Sequence, residues 1–286
     1  MPISNLFQKL LKTFIKTMFK NSKELSNFVR KSVVQMTHDG NSSHVGSCLS
    51  IADILSVIYF DYLNTFPKDP TNEERDWFIL SKGHAGAAIY ATLAGMGYFD
   101  SSFLKKHYQN GSIMSGHVSH KSIPGVEFST GSLGHGLPVA CGIAHGYKLD
   151  NLNNKVVCLL SDGECDEGSN WEAILYANHF ELSNLTVVVD YNKLQSLNST
   201  DNTMTLEPFA EKWISFGWDL IECDGHDHKA LKSALNKKSN NPKVIIANTT
   251  KGFGVSFMEN NVLWHYRSPQ GQEYKDAMLE LDNNEK

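Results

Sequence analysis

The sequence predicts an α/β protein whose mostly parallel sheet is flanked by helices on both faces. Two apolar runs, KVVCLL at 155–160 and LTVVVD at 185–190, lack the alternation of half-exposed strands and therefore predict strands buried on both sides. The segment between them, SNWEAILYANHF, begins with an S-x-x-E capping box at Ser169 and Glu172 and predicts a helix. A strand, a helix and a strand in this order form a βαβ unit of a parallel sheet.

Other segments predict further elements of the same fold. Apolar residues at helical spacing predict helices in 22–36, 50–63 and 227–238. Short apolar runs predict strands at 77–80 and 242–250. No internal repeat or low-complexity linker interrupts this pattern, so we predict one domain from residue 25 to residue 286.

Composition narrows the class of protein. The chain has 286 residues, 41% of them hydrophobic, and a formal net charge of −5, so it can bury a large core and shows no basic excess for nucleic acid. No window approaches the ~18 apolar residues that a membrane-spanning helix needs. The five cysteines form no CxxC pair, which is typical of reduced thiols in a cytoplasmic protein.

The N-terminal segment, residues 1–24, differs from the rest. Up to residue 23 it carries five lysines and no acidic residue, and its apolar residues recur every three to four positions, which predicts an amphipathic helix. We expect this helix to pack on the body of the protein or on a partner subunit. The alternatives are a helix on a membrane surface and an organellar presequence, although the absence of arginine disfavours the presequence.

Polar residues follow the two buried strands at equivalent positions. Asp162 lies two residues beyond the first apolar run, and Asn192 lies two residues beyond the second. Ligands of open parallel sheets bind at the carboxyl ends of the strands, so both side chains are expected at one edge. Their hard oxygen atoms suit Mg²⁺ or Ca²⁺, and ligand phosphates would complete the coordination. Gly163 would let a diphosphate approach the backbone, whereas the purely structural alternative is that Asp162 begins a turn and Asn192 caps a segment.

The spacing of these residues resembles the thiamine-diphosphate motif, in which GDG is followed by Asn about thirty residues later; here SDG is followed by Asn192, 30 residues after Asp162. Further segments resemble those of transketolases, in order, from about residue 25 to 280: SSHVGSCLSIADILSVIYF, ILSKGHAGAAIYATLAGMGYF, SGHVSHKSIPGVEFSTGSLGHGLPVACGIA, FGWDLIECDGHD and TTKGFGVSFMENNVLWH. The resemblance implies a thiamine-diphosphate-binding fold. It also implies a transketolase-type glycolaldehydetransferase, which moves a two-carbon ketol unit from a ketose to an aldehyde.

Matching positions carry the family's binding roles onto this sequence. The resemblance implies that Asp162, Asn192 and the backbone carbonyl of Leu194 bind Mg²⁺, for which Ca²⁺ or Mn²⁺ could substitute. Gly163 would contact the cofactor diphosphate, and Asn192 would serve the cofactor as well as the metal. Gly131 and Leu133 would contact the aminopyrimidine ring.

The resemblance also assigns four histidines. It implies that His84 and His265 contact diphosphate oxygens and that His44 and His117 reach the substrate beside the reacting carbonyl. Ketol transfer requires a proton to leave one hydroxyl and to reach a new oxyanion, and neutral histidines suit both steps. Glu167 would lie at a subunit interface that links two active sites.

The catalytic glutamate that activates the pyrimidine ring belongs, in this family, to a second domain. We therefore expect this chain to be the N-terminal, diphosphate-binding subunit of a split, two-polypeptide transketolase. A separate C-terminal subunit would supply the glutamate, and the pair would form a heterotetramer.

Three departures from the family pattern bear on the substrate. Ser161 replaces the first Gly of GDG, Val45 replaces the Pro of HPG, and His135 replaces the Gln of TGSLGQG. They favour a specialised pathway acting on a sugar phosphate or a modified sugar. The alternatives are half of an enzyme similar to 1-deoxyxylulose-phosphate synthase or to a 2-oxoacid dehydrogenase, and a non-catalytic regulatory relative.

Overall fold

The architecture is a parallel sheet of five strands, seen in a computed structural model that describes residues 18–283. The spatial order is β1-β2-β3-β5-β4, and every neighbouring pair is parallel. Strands β2 and β3 run in register from the Val156–Leu185 pair to the Ser161–Asp190 pair, which confirms the predicted fold class. The strands are β1 (Trp77–Leu80), β2 (Val156–Ser161), β3 (Leu185–Tyr191), β4 (Asp219–Asp224) and β5 (Lys243–Asn248).

Helices cover both faces of the sheet. They are α1 (Ser22–Gly40), α2 (Val45–Ser50), α3 (Ala52–Val57), α4 (Gly86–Gly95), α5 (Gly136–Leu149), α6 (Gly168–His179), α7 (Thr200–Thr203), α8 (Phe209–Ser215), α9 (His228–Asn236) and α10 (Gln272–Asn283). A π-helical turn (Ile58–Tyr62) follows α3, and 3₁₀ turns occur at Gly83–Ala85, Ser101–Lys106, Gly163–Asp166 and Val262–His265. Most of the amphipathic helix predicted for residues 1–24 lies outside the described residues.

Successive side chains of the central strands point to opposite faces of the sheet, so the core has two layers. Val157 and Leu159 of β2 join the larger apolar cluster, formed with α1 to α4, α9 and α10. Val156, Cys158 and Leu160 join the second cluster, formed with α5, α6 and α8. Because both faces of β2 are buried, its sequence is a continuous apolar run rather than an alternating one.

Two local features differ from the sequence predictions. Helix α6 begins at Gly168, and Ser169 donates from Oγ to the carbonyl of Gly134 (2.7 Å) instead of capping the helix, so the predicted capping box is wrong. The 3₁₀ turn at Gly163–Asp166 leads directly into α6, which places the helix start before Ser169. Strand β4 was not predicted, because this edge strand is only partly buried and carries no continuous apolar run.

Helix α1 begins at a side-chain cap. The Asn21 side chain accepts hydrogen bonds from the backbone N–H groups of Lys23 and Glu24, which satisfies two of the free donors at a helix start. Among the described helices, none is long and apolar enough to cross a membrane. All five cysteines are free thiols, as predicted.

Candidate functional site

A cavity of about 230 Å³ opens at the carboxyl edge of the sheet. Loops that follow β1, β2, β3 and β5 all contribute to its wall, as the carboxyl-end argument predicted. Its lining consists of His44, Ser47, Lys82, His84, His117, Gly131, Leu133, Ser161, Asp162, Gly163, Asn192, Leu194, Gln195, Ser196, Lys251, His265 and Tyr266. Apart from Glu167, every predicted site residue therefore lines this one cavity.

Asp162 is a buried carboxylate held by backbone donors. Its Oδ1 accepts from the N–H of Gly163 (2.7 Å) and its Oδ2 accepts from the N–H of Lys193 (2.6 Å). Lys193 has a left-handed backbone conformation (φ 62°), which turns this N–H back toward the carboxylate. Burial, with the negative charge of Asp190 adding to it, raises the pKa of Asp162 to about 7. A cation beside this carboxylate would stabilise its charged form.

Asp190, at the end of β3, organises the base of the cavity. It is fully buried and accepts from Lys82 Nζ (2.5 Å), Ser50 Oγ (2.5 Å) and the Thr249 hydroxyl. Burial alone would raise the pKa of Asp190, but the Lys82 ammonium holds it below its usual range. Asn192 donates from Nδ2 to Asp190 (3.0 Å), which leaves its Oδ1 as the acceptor of the Leu194 N–H (3.0 Å).

Lys251 connects the loops after β3 and β5. Its ammonium donates to the carbonyl oxygens of Leu194 and Gln195 and to Nδ1 of His265, each at 3.0 Å. An ammonium has no acceptor, so His265 Nδ1 must be the acceptor and the ring proton lies on Nε2. Burial, together with the charge of Lys82, lowers the pKa of Lys251 to about 8.

The four predicted histidines form one cluster. The ring centroid of His44 lies 5.2 Å from that of His84, 5.6 Å from that of His117 and 4.9 Å from that of His265. His44 precedes α2 in a left-handed conformation (φ 75°), and its N–H donates to the carbonyl of His265 (2.8 Å). Its Nδ1 is buried and, among the described residues, has no hydrogen-bond partner, so it is available to a ligand.

Burial keeps three of these rings neutral near pH 7. Burial, reinforced by the charge of His117, lowers the pKa of His44 to about 4. Burial and the charge of Lys251 lower the pKa of His265 to about 3, and burial and Lys82 bring the pKa of His84 well below its ordinary value. Neutral imidazoles can both accept and donate a proton, which the chemistry of hydroxyl groups requires.

His107, which is buried outside the cavity, is expected to make the free energy of unfolding depend on pH. Burial lowers its pKa to about 4, whereas an unfolded histidine titrates near ~6.5. The folded chain thus binds fewer protons between these values, so the stability that His107 contributes is complete above pH ~6.5 and is lost as the pH falls toward ~4. We expect His107→Leu to reduce the loss of unfolding free energy between pH 7 and pH 5 by about 2 kcal/mol.

Chemical denaturation at the two pH values measures this difference. His120→Leu is the matched control, because it removes an exposed histidine in place of a buried one. An acid-induced loss that is equal in the wild-type and His107→Leu chains would contradict the assignment.

The donor set fits a hard divalent cation and an anionic cofactor. Asp162 and Asn192 offer side-chain oxygens and Leu194 offers a carbonyl, while Lys82 and Lys251 supply positive charge beside them. Within residues 18–283, no group of three or more His, Cys, Asp or Glu side chains could hold a metal by itself, so a cation here depends on ligand oxygens. These residues fit a cation clamped between the chain and a diphosphate.

Glycines shape the wall on which such a ligand would lie. A Cβ built on Gly163 would come within 2.8 Å of the Gln195 side chain, so a larger residue would displace that wall. A Cβ on Gly83 would lie 2.4 Å from the carbonyl of Thr130, which is why the loop after β1 can pack against the loop carrying Gly131 and Leu133. Both loops belong to the segments that the sequence resemblance identified.

Glu167 and two of the three departures lie off the cavity. Glu167 is exposed directly before α6, where its role at an interface stays a prediction. Val45 occupies the first position of α2, a place where Pro is also favoured, and His135 is exposed with Nδ1 3.0 Å from the carbonyl of Leu133. Ser161 does line the cavity, and its Oγ accepts from the N–H of Glu164 (3.3 Å). Val45 and His135 are therefore weak indicators of substrate.

Sequence reasoning missed the two cavity lysines. Lys82 lies two residues beyond β1 and Lys251 three residues beyond β5. The rule that identified Asp162 and Asn192, polar residues just past the carboxyl end of a strand, applies equally to both lysines. Asp190 was missed because it stands inside an apolar run.

Comparison with known proteins finds relatives that match nearly the whole chain. A family described as transketolase, thiamine diphosphate binding domain, matches residues 21–278. The chain is 43% identical over 255 residues to one of the subunits of the apulose-4-phosphate transketolase of Actinobacillus succinogenes, covering 88% of this chain and 92% of that protein. It is 36% identical over 260 residues to the 6-deoxy-6-sulfo-D-fructose transketolase subunit SqwG of a Clostridium species, covering 90% and 94%.

Solved structures extend the similarity to the fold. Transketolase from Campylobacter jejuni superposes with a TM-score of 0.86 at 32% sequence identity. The match covers 91% of this chain but 42% of that one. The chain thus spans less than half the length of the solved enzyme, whereas it spans nearly the whole length of the Actinobacillus and Clostridium subunits.

Proposed function

We propose, since this chain belongs to the transketolase family through its thiamine-diphosphate-binding domain, that it is the diphosphate-binding subunit of a two-polypeptide transketolase. The observation that carries the proposal is the single cavity in which the predicted metal, diphosphate and histidine positions meet. These positions come from the ends of three strands and from three other segments, and their convergence supports one ligand site rather than separate structural roles.

Mg²⁺ is the cation that this donor set favours. Asp162, Asn192 and the Leu194 carbonyl would hold it, and Gly163 with the two cavity lysines would face the diphosphate. Gly131 and Leu133, which also line the cavity, would face the aminopyrimidine ring. When bound, thiamine diphosphate supplies the nucleophile and the electron sink for breaking a carbon–carbon bond beside a carbonyl.

The histidine cluster would manage protons and orient hydroxyl groups. His44 offers a buried Nδ1 without a partner in the described chain, suited to a substrate hydroxyl. His117 is exposed at the cavity rim, where a substrate would approach. His84 and His265 lie deeper, beside the lysines, where they would bind diphosphate oxygens and exclude water.

The rim of the cavity supports a requirement for a second polypeptide. The volume of about 230 Å³ is below the roughly 300–1,000 Å³ of typical ligand pockets. Tyr266, in the cavity lining, is 59% exposed although its ring packs on His44 and His265, and Leu197, which follows the lining residue Ser196 in the chain, is 80% exposed. We infer that a partner subunit covers this rim, contributes the catalytic glutamate and forms a heterotetramer with this chain. The free thiols suit the cytoplasm, where we place the enzyme.

The substrate is proposed to be a sugar phosphate or modified sugar of a specialised pathway. The similar Actinobacillus and Clostridium subunits are named for apulose 4-phosphate and 6-deoxy-6-sulfo-D-fructose, and these names support a specialised sugar as the substrate. We expect the reconstituted pair to turn over one such donor at least about tenfold more efficiently, by kcat/KM, than xylulose 5-phosphate. A tenfold preference corresponds to ~1.4 kcal/mol of differential binding in the transition state.

A panel of ketose donors and aldehyde acceptors tests this proposal. Efficient transfer from xylulose 5-phosphate to ribose 5-phosphate would contradict specialisation while leaving ketol transfer intact. Absence of transfer for every pair, despite cofactor binding, would instead favour the non-catalytic alternative.

A further inference from the structure

His117 lies on a loop that lines the cavity, and the position of its backbone determines the orientation of its imidazole ring. Its side chain is exposed, and among the described residues its ring makes no hydrogen bond. The ring lies edge-on to His44 at 5.6 Å and close to Gly131, contacts that limit its position without orienting either nitrogen. The direction of the imidazole therefore depends on where the backbone of residues 115–119 is held.

One tyrosine makes two hydrogen bonds to that backbone. Tyr90 lies in α4, fully buried, and its hydroxyl donates to the carbonyl of His117 (3.0 Å) while accepting from the N–H of Ser119 (3.0 Å). A single oxygen thus bridges the residues on both sides of Val118. One helical turn earlier, Gly86 lets the loop lie directly on α4, because a Cβ there would come within 3.2 Å of the Gly116 carbonyl.

Other contacts keep the loop folded without the tyrosine hydroxyl. Val118 donates from its N–H to the carbonyl of Gly83 (3.0 Å), and Ser115 Oγ donates to the carbonyl of His117 (2.5 Å). Removing the Tyr90 oxygen therefore leaves an anchored loop that has lost the bridge at His117. A displacement of about 1 Å in a positioned group can reduce turnover by up to about 100-fold.

We propose that Tyr90 is a positioning residue that directs the His117 imidazole toward the substrate. This inference rests on the proposed function, in which His117 contacts the substrate. Tyr90 itself does not reach the cavity, so it acts only through the loop it supports.

A double-mutant cycle in the reconstituted enzyme tests the proposal. We expect His117→Ala to lower kcat about 100-fold and Tyr90→Phe about tenfold. If the tyrosine acts through His117, Tyr90→Phe should change kcat less than about twofold in the His117→Ala background. Tyr59→Phe is the matched control, since it removes a hydroxyl from another buried tyrosine of the same core that has no hydrogen bond to the described loop.

The cycle separates two kinds of failure. An unchanged rate in His117→Ala would remove the substrate role of His117, and the inference about Tyr90 with it. A lowered rate in His117→Ala, combined with an equal effect of Tyr90→Phe in both backgrounds, would overturn only the positioning role. An unchanged rate in Tyr90→Phe would overturn it as well.

Proton NMR of the histidine rings gives a readout without the partner subunit. The His117 signals are identified by their loss in His117→Ala. We expect them to shift in Tyr90→Phe and to stay in place in Tyr59→Phe, while the signals of His145, whose ring packs on Tyr176 and Phe180, are unchanged in both. His117 signals that do not move in Tyr90→Phe would contradict the proposal.

Discussion

Purified alone and given thiamine diphosphate, Mg²⁺, a ketose and an aldehyde, this chain is expected to transfer no ketol unit above background. The reason lies in the composition of the cavity wall. Among its lining residues in the described chain, Asp162 is the one carboxylate, and it would be committed to the cation. No glutamate there can protonate the pyrimidine ring, and the rim at Tyr266 stays open to water.

Adding the partner subunit should restore transfer, with a rate that saturates as the partner is titrated. A coupled assay of aldehyde release from the donor measures this, and the partner alone serves as the control. The expected gain is at least about 1,000-fold, because loss of general acid–base catalysis and of water exclusion each slow such reactions by orders of magnitude. Robust turnover by the isolated chain would refute the split architecture.

Asp162→Ala is expected to weaken thiamine-diphosphate binding in the presence of Mg²⁺ by at least about 100-fold. A carboxylate that ligates the metal contributes at least as much as the outer-shell groups whose loss costs about 10–100-fold in metal affinity. The cofactor affinity of this variant should no longer depend on Mg²⁺. Isothermal titration calorimetry of the chain, with Mg²⁺ and with excess chelator, measures both effects.

Glu172→Ala is the matched control, because Glu172 is an exposed acid on α6, away from the cavity. It should bind the cofactor with the affinity of the wild-type chain and keep the dependence on Mg²⁺. Asp162→Ala that retains wild-type affinity and its Mg²⁺ dependence would place the cation elsewhere. The purely structural alternative for Asp162 predicts that outcome together with a lowered melting temperature.

The central strands and the site at their ends could be predicted because both depend on short, contiguous stretches of sequence. A run such as residues 156–160, apolar at every position, is typical of a strand buried on both faces, and polar residues just beyond such a strand are expected at the edge of the sheet. Asp162 and Asn192 followed from that rule, which would also have identified Lys82 and Lys251. Strand β4 was not predicted because it is only partly buried and its sequence, DLIECD, mixes polar and apolar residues instead of forming an apolar run.

Backbone conformations, hydrogen bonds and burial that depend on tertiary packing could not be predicted from short stretches of sequence. The left-handed backbone of His44, the hydrogen bonds of Tyr90 and the burial of Asp190 arise from segments far apart in the chain. The capping box at Ser169 failed for a related reason. The Ser169 hydroxyl donates to the carbonyl of Gly134, which belongs to another loop, and the sequence around Ser169 does not reveal this partner.

The Lys251 ammonium fixes the loop after β3 through the carbonyl oxygens of Leu194 and Gln195. These bonds come from within the chain, so the shape of the loop is established when the protein folds. A binding loop that is already ordered spares the ligand the entropy of arranging it, and more of the contact energy remains as affinity. Preorganisation of this wall would let a half-site of modest size retain its cofactor while the two polypeptides associate and separate.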